Sequence, residues 1–144
     1  MIHADRVRQQ GKVTDLIVAK KLVNIKKSAQ SRGLHFDMSL KRIRQLLNTK
    51  KCALTGMRIY VYNDVPDHVK TTTPDDCLSF DRFDSSKGYV DDNVIAVSHM
   101  INLKKSNLSP QEIINLSKGV IKVQKRLAKR KKNEQETVRS KSKL

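Results

Sequence analysis

Asp81 and Asn102 offer a carboxylate and an amide oxygen, a donor pair suited to a hard cation such as Mg²⁺ rather than to zinc. Mg²⁺ keeps several waters and accepts phosphate oxygens from a substrate, so one ion held by two protein groups can polarise a phosphodiester. His99 precedes Asn102 by one helical turn and Lys105 follows it by one. A second histidine, His68, falls in a stretch of turn-forming residues. Cys52 and Cys77 are far apart and lack the paired spacing of a structural zinc site or a disulfide framework, so neither is expected.

The charge distribution fits the same chemistry. The chain has 144 residues, 30 Lys and Arg against 14 Asp and Glu, and a net charge of +16, which favours a polyanionic partner. Residues 1–51 carry 13 basic and 3 acidic side chains, and residues 118–144 carry 11 and 2. Residues 64–92 reverse the sign, with eight aspartates against three basic residues. Basic arms around an acidic centre suit nucleic acid outside and a metal inside; charge alone equally suits a ribosome-associated basic protein with a solvated acidic loop. There is no Trp and there are six Phe and Tyr, so the core must be small and aliphatic. No run approaches 18 apolar residues, and the first ten residues lack a secretory apolar segment. The expectation is an intracellular protein without a membrane partner.

The elements that must position these groups follow from periodicity and caps. Val13, Ile17, Leu22, Ile25 and Ala29 form one stripe of a basic helix over residues 13–31, ended by Gly33. Ser39 caps a second helix whose inner face is Leu40, Ile43 and Leu47. Met57–Tyr62 reads as a strand and residues 63–76 as a loop. Strands at 78–83 and 93–97 flank the turn-rich segment 84–92, in which Gly88 suits a positive φ, Tyr89 loop packing, and Asp84, Asp91 and Asp92 turn and cap duties. A helix over 98–107 puts Val97, Ile101 and Leu108 toward the core, with Ser98, Asn102 and Lys105 on a neighbouring face. Ser109, Pro110 and Glu112 open a last helix with a capping box and the stripe Ile113, Leu116, Val120, Val123 and Leu127. Beyond Lys132 the polar tail is expected to be disordered.

The string SFDRFDSSKGYVDDNVIAVSHMINLKKSNLS at Ser79–Ser109, with CALTG at Cys52–Gly56, resembles the HNH or ββα-metal endonucleases, especially small phage and homing-type members. Their pattern reads CxxTG, a long gap, then LDRxDSSKGYxxxNVxxVxxxxNxxKxxLS. The resemblance covers about 60 residues, and residues 27–47 are similar to the helical lead-in of such proteins. It implies an α+β fold with a ββα-metal core and flanking basic helices, divided as 1–51, 52–109, 110–132 and a tail at 133–144. It further implies that Asp81 and Asn102 are metal ligands for Mg²⁺ or Mn²⁺, that Asn93 pins the loop, and that Lys105 contacts phosphate. Where better understood members carry a histidine base, this chain has Arg82, which stays protonated and is a poor base, though it can orient water or neutralise a phosphorane. Adjacent strand residues point to opposite faces, so Asp81 and Arg82 share a site only at a strand end or bulge.

The reading is a metal-dependent DNA endonuclease acting in the cytoplasm of a bacterial host if phage-encoded, with Arg82, His99 and Asn93 as catalytic candidates. Lys104, Lys105, Lys118, Lys122, Lys125, Arg126, Lys129 and Arg130 are the DNA-binding candidates. A double-strand break needs a homodimer or two successive nicks. Two alternatives stay open: an HNH-fold DNA-binding or inhibitory protein in which Arg82 marks loss of the base, and an RNA-binding basic protein.

Overall fold

A computed structural model describes residues 5–143 as eight helices and strands in two compact units, residues 5–107 and 108–143. In the first unit, helix α1 (Asp15–Ser31) starts at Thr14, whose hydroxyl accepts from Ile17 N. It stops because Gly33 adopts φ +63°: Gly33 N donates to Gln30 O and Leu34 N to Ala29 O, closing a Schellman motif. The helix buries Val18, Ile25 and Ala29.

Strand β1 (Phe36–Asp37) leads into helix α2 (Leu40–Leu47), capped by Ser39. Asp91 fixes this cap, accepting from Ser39 N at 2.9 Å and from Ser39 Oγ at 2.7 Å. Arg42 donates to the carbonyls of Asp91 and Val94. The buried face of α2 is Ile43, Leu46 and Leu47; Leu40, expected on that face, is exposed. With this rotation Ile43 is fully enclosed, which contributes about 1.5–3 kcal/mol.

No strand forms over residues 57–62, contrary to the sequence reading. Arg58 bridges Lys51, Tyr60 bridges Cys77 and Tyr62 bridges Arg8, so the partner changes every second residue and no ladder can propagate. The alternating apolar residues still have a use, since Ile59 is buried beside Cys52 in the core. Both cysteines are free thiols.

Strands β2 (Leu78–Arg82) and β4 (Val94–Ser98) pair antiparallel, with Asp81 opposite Ile95 and Arg82 opposite Val94. Between them the short strand β3 (Tyr89–Val90) pairs parallel with β1, an element the sequence did not reveal. Gly88 has no positive φ; a Cβ there would lie 2.3 Å from His35 O, so glycine is required by close backbone approach. Helix α3 (His99–Lys105) follows β4 at once, capped by Ser98, and ends at Ser106 with φ +47°.

The second unit holds helix α4 (Pro110–Lys141), opened by the capping box of Ser109 and Glu112. The helix runs past Lys132, where the sequence suggested disorder, because Lys, Glu, Gln and Arg are good helix formers even without burial. None of its residues is buried.

Candidate functional site

Strand β2 ends at Arg82, and that end is what lets neighbouring side chains share one site. Asp81 and Arg82 both line a cavity of about 180 Å³, together with Arg32, Tyr89 and Asn102 among others. Asp81 is 6% exposed, and its Oδ2 is buried with the Lys105 ammonium 3.1 Å away, in an ion pair whose geometry falls short of a hydrogen bond. Burial pushes the Asp81 carboxyl above its ordinary range, against the opposing pull of Lys105 and Arg82.

Asn102 reaches the cavity from α3. Its Nδ2 donates to Ser79 Oγ at 2.7 Å, which fixes the amide and leaves Oδ1 for another partner. Asn93 ties the loop between β2 and β4: its Oδ1 accepts from Asp84 N at 3.0 Å, and its Nδ2 donates to Asp84 O at 3.1 Å and Gly88 O at 3.0 Å. Arg82 is buried as well, with Nη1 donating to Ser85 O at 2.7 Å and Lys87 O at 2.9 Å. One nitrogen of its guanidinium is thus committed to loop carbonyls.

Lys105 departs from expectation. Its side chain is 3% exposed, with Nζ 3.1 Å from Asp81 Oδ2, 3.3 Å from Asp81 Oδ1 and 2.9 Å from Arg82 O. The face of α3 carrying Ser98, Asn102 and Lys105 turns toward β2, so this lysine is withheld from external phosphate and neutralises the strand's carboxylate. Lys104 beside it is exposed.

His99 does not line the cavity; as the first residue of α3 it donates its backbone N–H to Cys77 O. His68 is exposed in the acidic loop. Lys118, Lys122, Lys125, Arg126, Lys129 and Arg130 are exposed on α4. Arg32, overlooked in the sequence, follows the last residue of α1 and donates to Tyr89 Oη at 3.3 Å, adding a cation to the cavity lining. Only its place in the basic N-terminal segment hinted at it.

Among the described residues no three His, Cys, Asp or Glu side chains group closely enough to enclose a metal. The donor set at the cavity is one buried carboxylate, paired with Lys105, and one amide oxygen. That set fits a hard cation retaining its own waters and does not suit zinc, which takes nitrogen and sulphur ligands.

Comparison with known proteins places this architecture. No protein-family profile matches the chain. It is 28% identical over 97 residues to an uncharacterized 29.0 kDa protein from the dda-modA intergenic region of Enterobacteria phage T4, a match covering 67% of this chain and 35% of that protein. The chain therefore spans about a third of that relative's length. Among solved structures it is similar to the rare-cutting HNH restriction endonuclease PacI, with a TM-score of 0.51 and 20% identity over 80% of this chain and 82% of that one. The fold is α+β and similar to that of an HNH endonuclease. No described helix is long and apolar enough to cross a membrane.

Proposed function

We propose that this chain is a divalent-metal-dependent DNA endonuclease of HNH type. The observation that carries the reading is the convergence of Asp81, a buried carboxylate, and Asn102 on one cavity, from the β2–loop–β4–α3 unit of an HNH-like fold. Asp81 and Asn102 would hold Mg²⁺ or Mn²⁺. Such a cation, when bound, supplies Lewis-acid charge to a phosphodiester oxygen and acidifies a bound water. Asn93 keeps the loop closed under the site, Arg82 holds the Ser85 and Lys87 carbonyls, and Arg32 attracts the scissile phosphate. Lys104 and the α4 cations bind the backbone of DNA beyond the site without regard to sequence. The working division of the chain is a basic helical region (1–51), the ββα core (52–109) and the basic helix beyond it.

A second reading, a DNA-binding protein without cleavage, is favoured by one observation: no histidine lines the cavity, and Arg82 in the position next to Asp81 is a committed cation. Incubating the protein with supercoiled plasmid in Mg²⁺, Mn²⁺ or EDTA separates the two. Metal-dependent nicking lost in Asp81→Ala and Asn102→Ala supports the nuclease. Binding without nicking, with cleavage gained in Arg82→His, supports the binding protein; preference for structured RNA over duplex DNA would displace both.

A further inference from the structure

We propose that Lys105 neutralises Asp81 in the free protein in place of the cation and that a DNA phosphate draws it away, so that the divalent ion enters only with its substrate. This rests on the reading that Asp81 and Asn102 hold a divalent cation. The ammonium and the carboxylate form a buried pair, with side-chain exposures of 3% and 6%. Nζ faces both carboxylate oxygens and also donates to Arg82 O. A cation bonded to Asp81 Oδ2 at about 2.1 Å can lie no farther than about 5.2 Å from Nζ as it stands, 3.1 Å from that oxygen. Two positive charges enforced at that separation repel strongly even in high dielectric.

The local charge points the same way. The cavity lining carries Arg32 and Arg82 against the one carboxylate of Asp81, and Lys105 pairs with that carboxylate as well, so positive charge exceeds negative before any metal arrives. Such a site attracts an anion first. A phosphodiester brings the missing negative charge and offers the ammonium a new acceptor. The lysine can respond because its four-carbon stem is flexible and its three donors are not geometrically locked. Binding of the two ligands is then coupled, each strengthening the other.

The test is a Mn²⁺ titration of the full chain without DNA, read by the electron paramagnetic resonance of free Mn²⁺. The pairs compared are wild type with Lys105→Met, and Lys105→Met with the double variant Asp81→Asn/Lys105→Met, all checked for folding by circular dichroism. The expected result is Mn²⁺ binding at least tenfold tighter in Lys105→Met than in wild type, abolished in the double variant. Equal or weaker binding in Lys105→Met that still depends on Asp81 would overturn the gate and leave the metal site standing. Absence of Asp81-dependent Mn²⁺ binding in every form, including wild type with duplex DNA, would overturn both. Should Lys105→Met fail to fold, the side-chain ammonium resonance of Lys105 in ¹⁵N-lysine-labelled wild type decides the matter. It is expected to shift or broaden when duplex DNA is added in EDTA, and a resonance unmoved at saturating DNA would overturn the proposal.

Discussion

Asn102 Nδ2 donates to Ser79 Oγ at 2.7 Å, joining α3 to β2 across the floor of the ββα unit. The bond decides which end of the amide is free. With the nitrogen held by Ser79, the oxygen is the group left to meet a ligand.

Ser79→Ala should therefore impair function without touching a ligand. Loss of one hydrogen bond of this kind costs about 1 kcal/mol of stability, while releasing the orientation of a ligating side chain lowers metal affinity by about 10–100-fold. Parallel urea unfolding and Mn²⁺ titration of the Lys105→Met background, with and without Ser79→Ala, separate the two effects. A stability loss with unchanged Mn²⁺ affinity would show that Ser79 only packs.

Asn93 is 5% exposed and makes three hydrogen bonds to backbone groups of its loop. Asn93→Ala strands those groups and should destabilise the chain by about 2–4 kcal/mol. Asn93→Asp keeps the acceptor for Asp84 N but removes both donors, so it should fall between wild type and Ala in urea midpoint.

Gly88→Ala brings a methyl against His35 O, where an ideal Cβ would lie at 2.3 Å. The backbone must move, opening the parallel pairing of Phe36 with Tyr89. A destabilisation of about 1–3 kcal/mol is expected, accompanied by faster amide exchange at Tyr89, whose N–H donates to His35 O.

Asp76 accepts from Tyr62 Oη at 2.5 Å and from Arg8 Nη2 at 2.7 Å. Burial pushes its carboxyl up, but these two bonds outweigh burial and hold it below the ordinary carboxylate range. A group depressed in the folded state contributes stability above its unfolded pKa, about 3.9, that is lost as pH falls through the folded value. Asp76→Asn should consequently flatten the acid limb of stability below about pH 4 and leave the neutral region's slope unchanged. Urea midpoints measured from pH 2 to 7 check this.

Much of the fold was legible because its signals are local. Ser39 and Ser109 act as the N-caps their types suggest and Gly33 closes α1, while Thr14 and Ser98, which the sequence reading put inside helices, are N-caps as well. The antiparallel pair and its turn-rich connection were readable from β-branched runs and turn formers. What escaped depends on rotation and long-range pairing. The i, i+3 and i+4 spacings put Ser98, Asn102 and Lys105 on one face of α3, but periodicity does not say that this polar face turns inward. A carboxylate on a neighbouring strand decides that, and so Lys105 was read as a phosphate contact. Leu40 and Leu46 exchange roles for the same reason, a rotation of α2 fixed by Asp91 from 52 residues away. Residues 57–62 have strand composition without a single partner strand, which no local pattern records. Gly88 was assigned a conformational role when its real neighbour, His35 O, lies on a different element.

The most direct test is the initial rate at which purified wild-type protein and Asp81→Ala convert supercoiled plasmid to the nicked form, in Mg²⁺ and in EDTA. The account predicts nicking in Mg²⁺, none in EDTA, and a loss of at least about 100-fold in Asp81→Ala with DNA binding retained. Nicking that persists undiminished in Asp81→Ala, or wild-type protein that binds plasmid in Mg²⁺ and Mn²⁺ yet leaves it supercoiled, would contradict it.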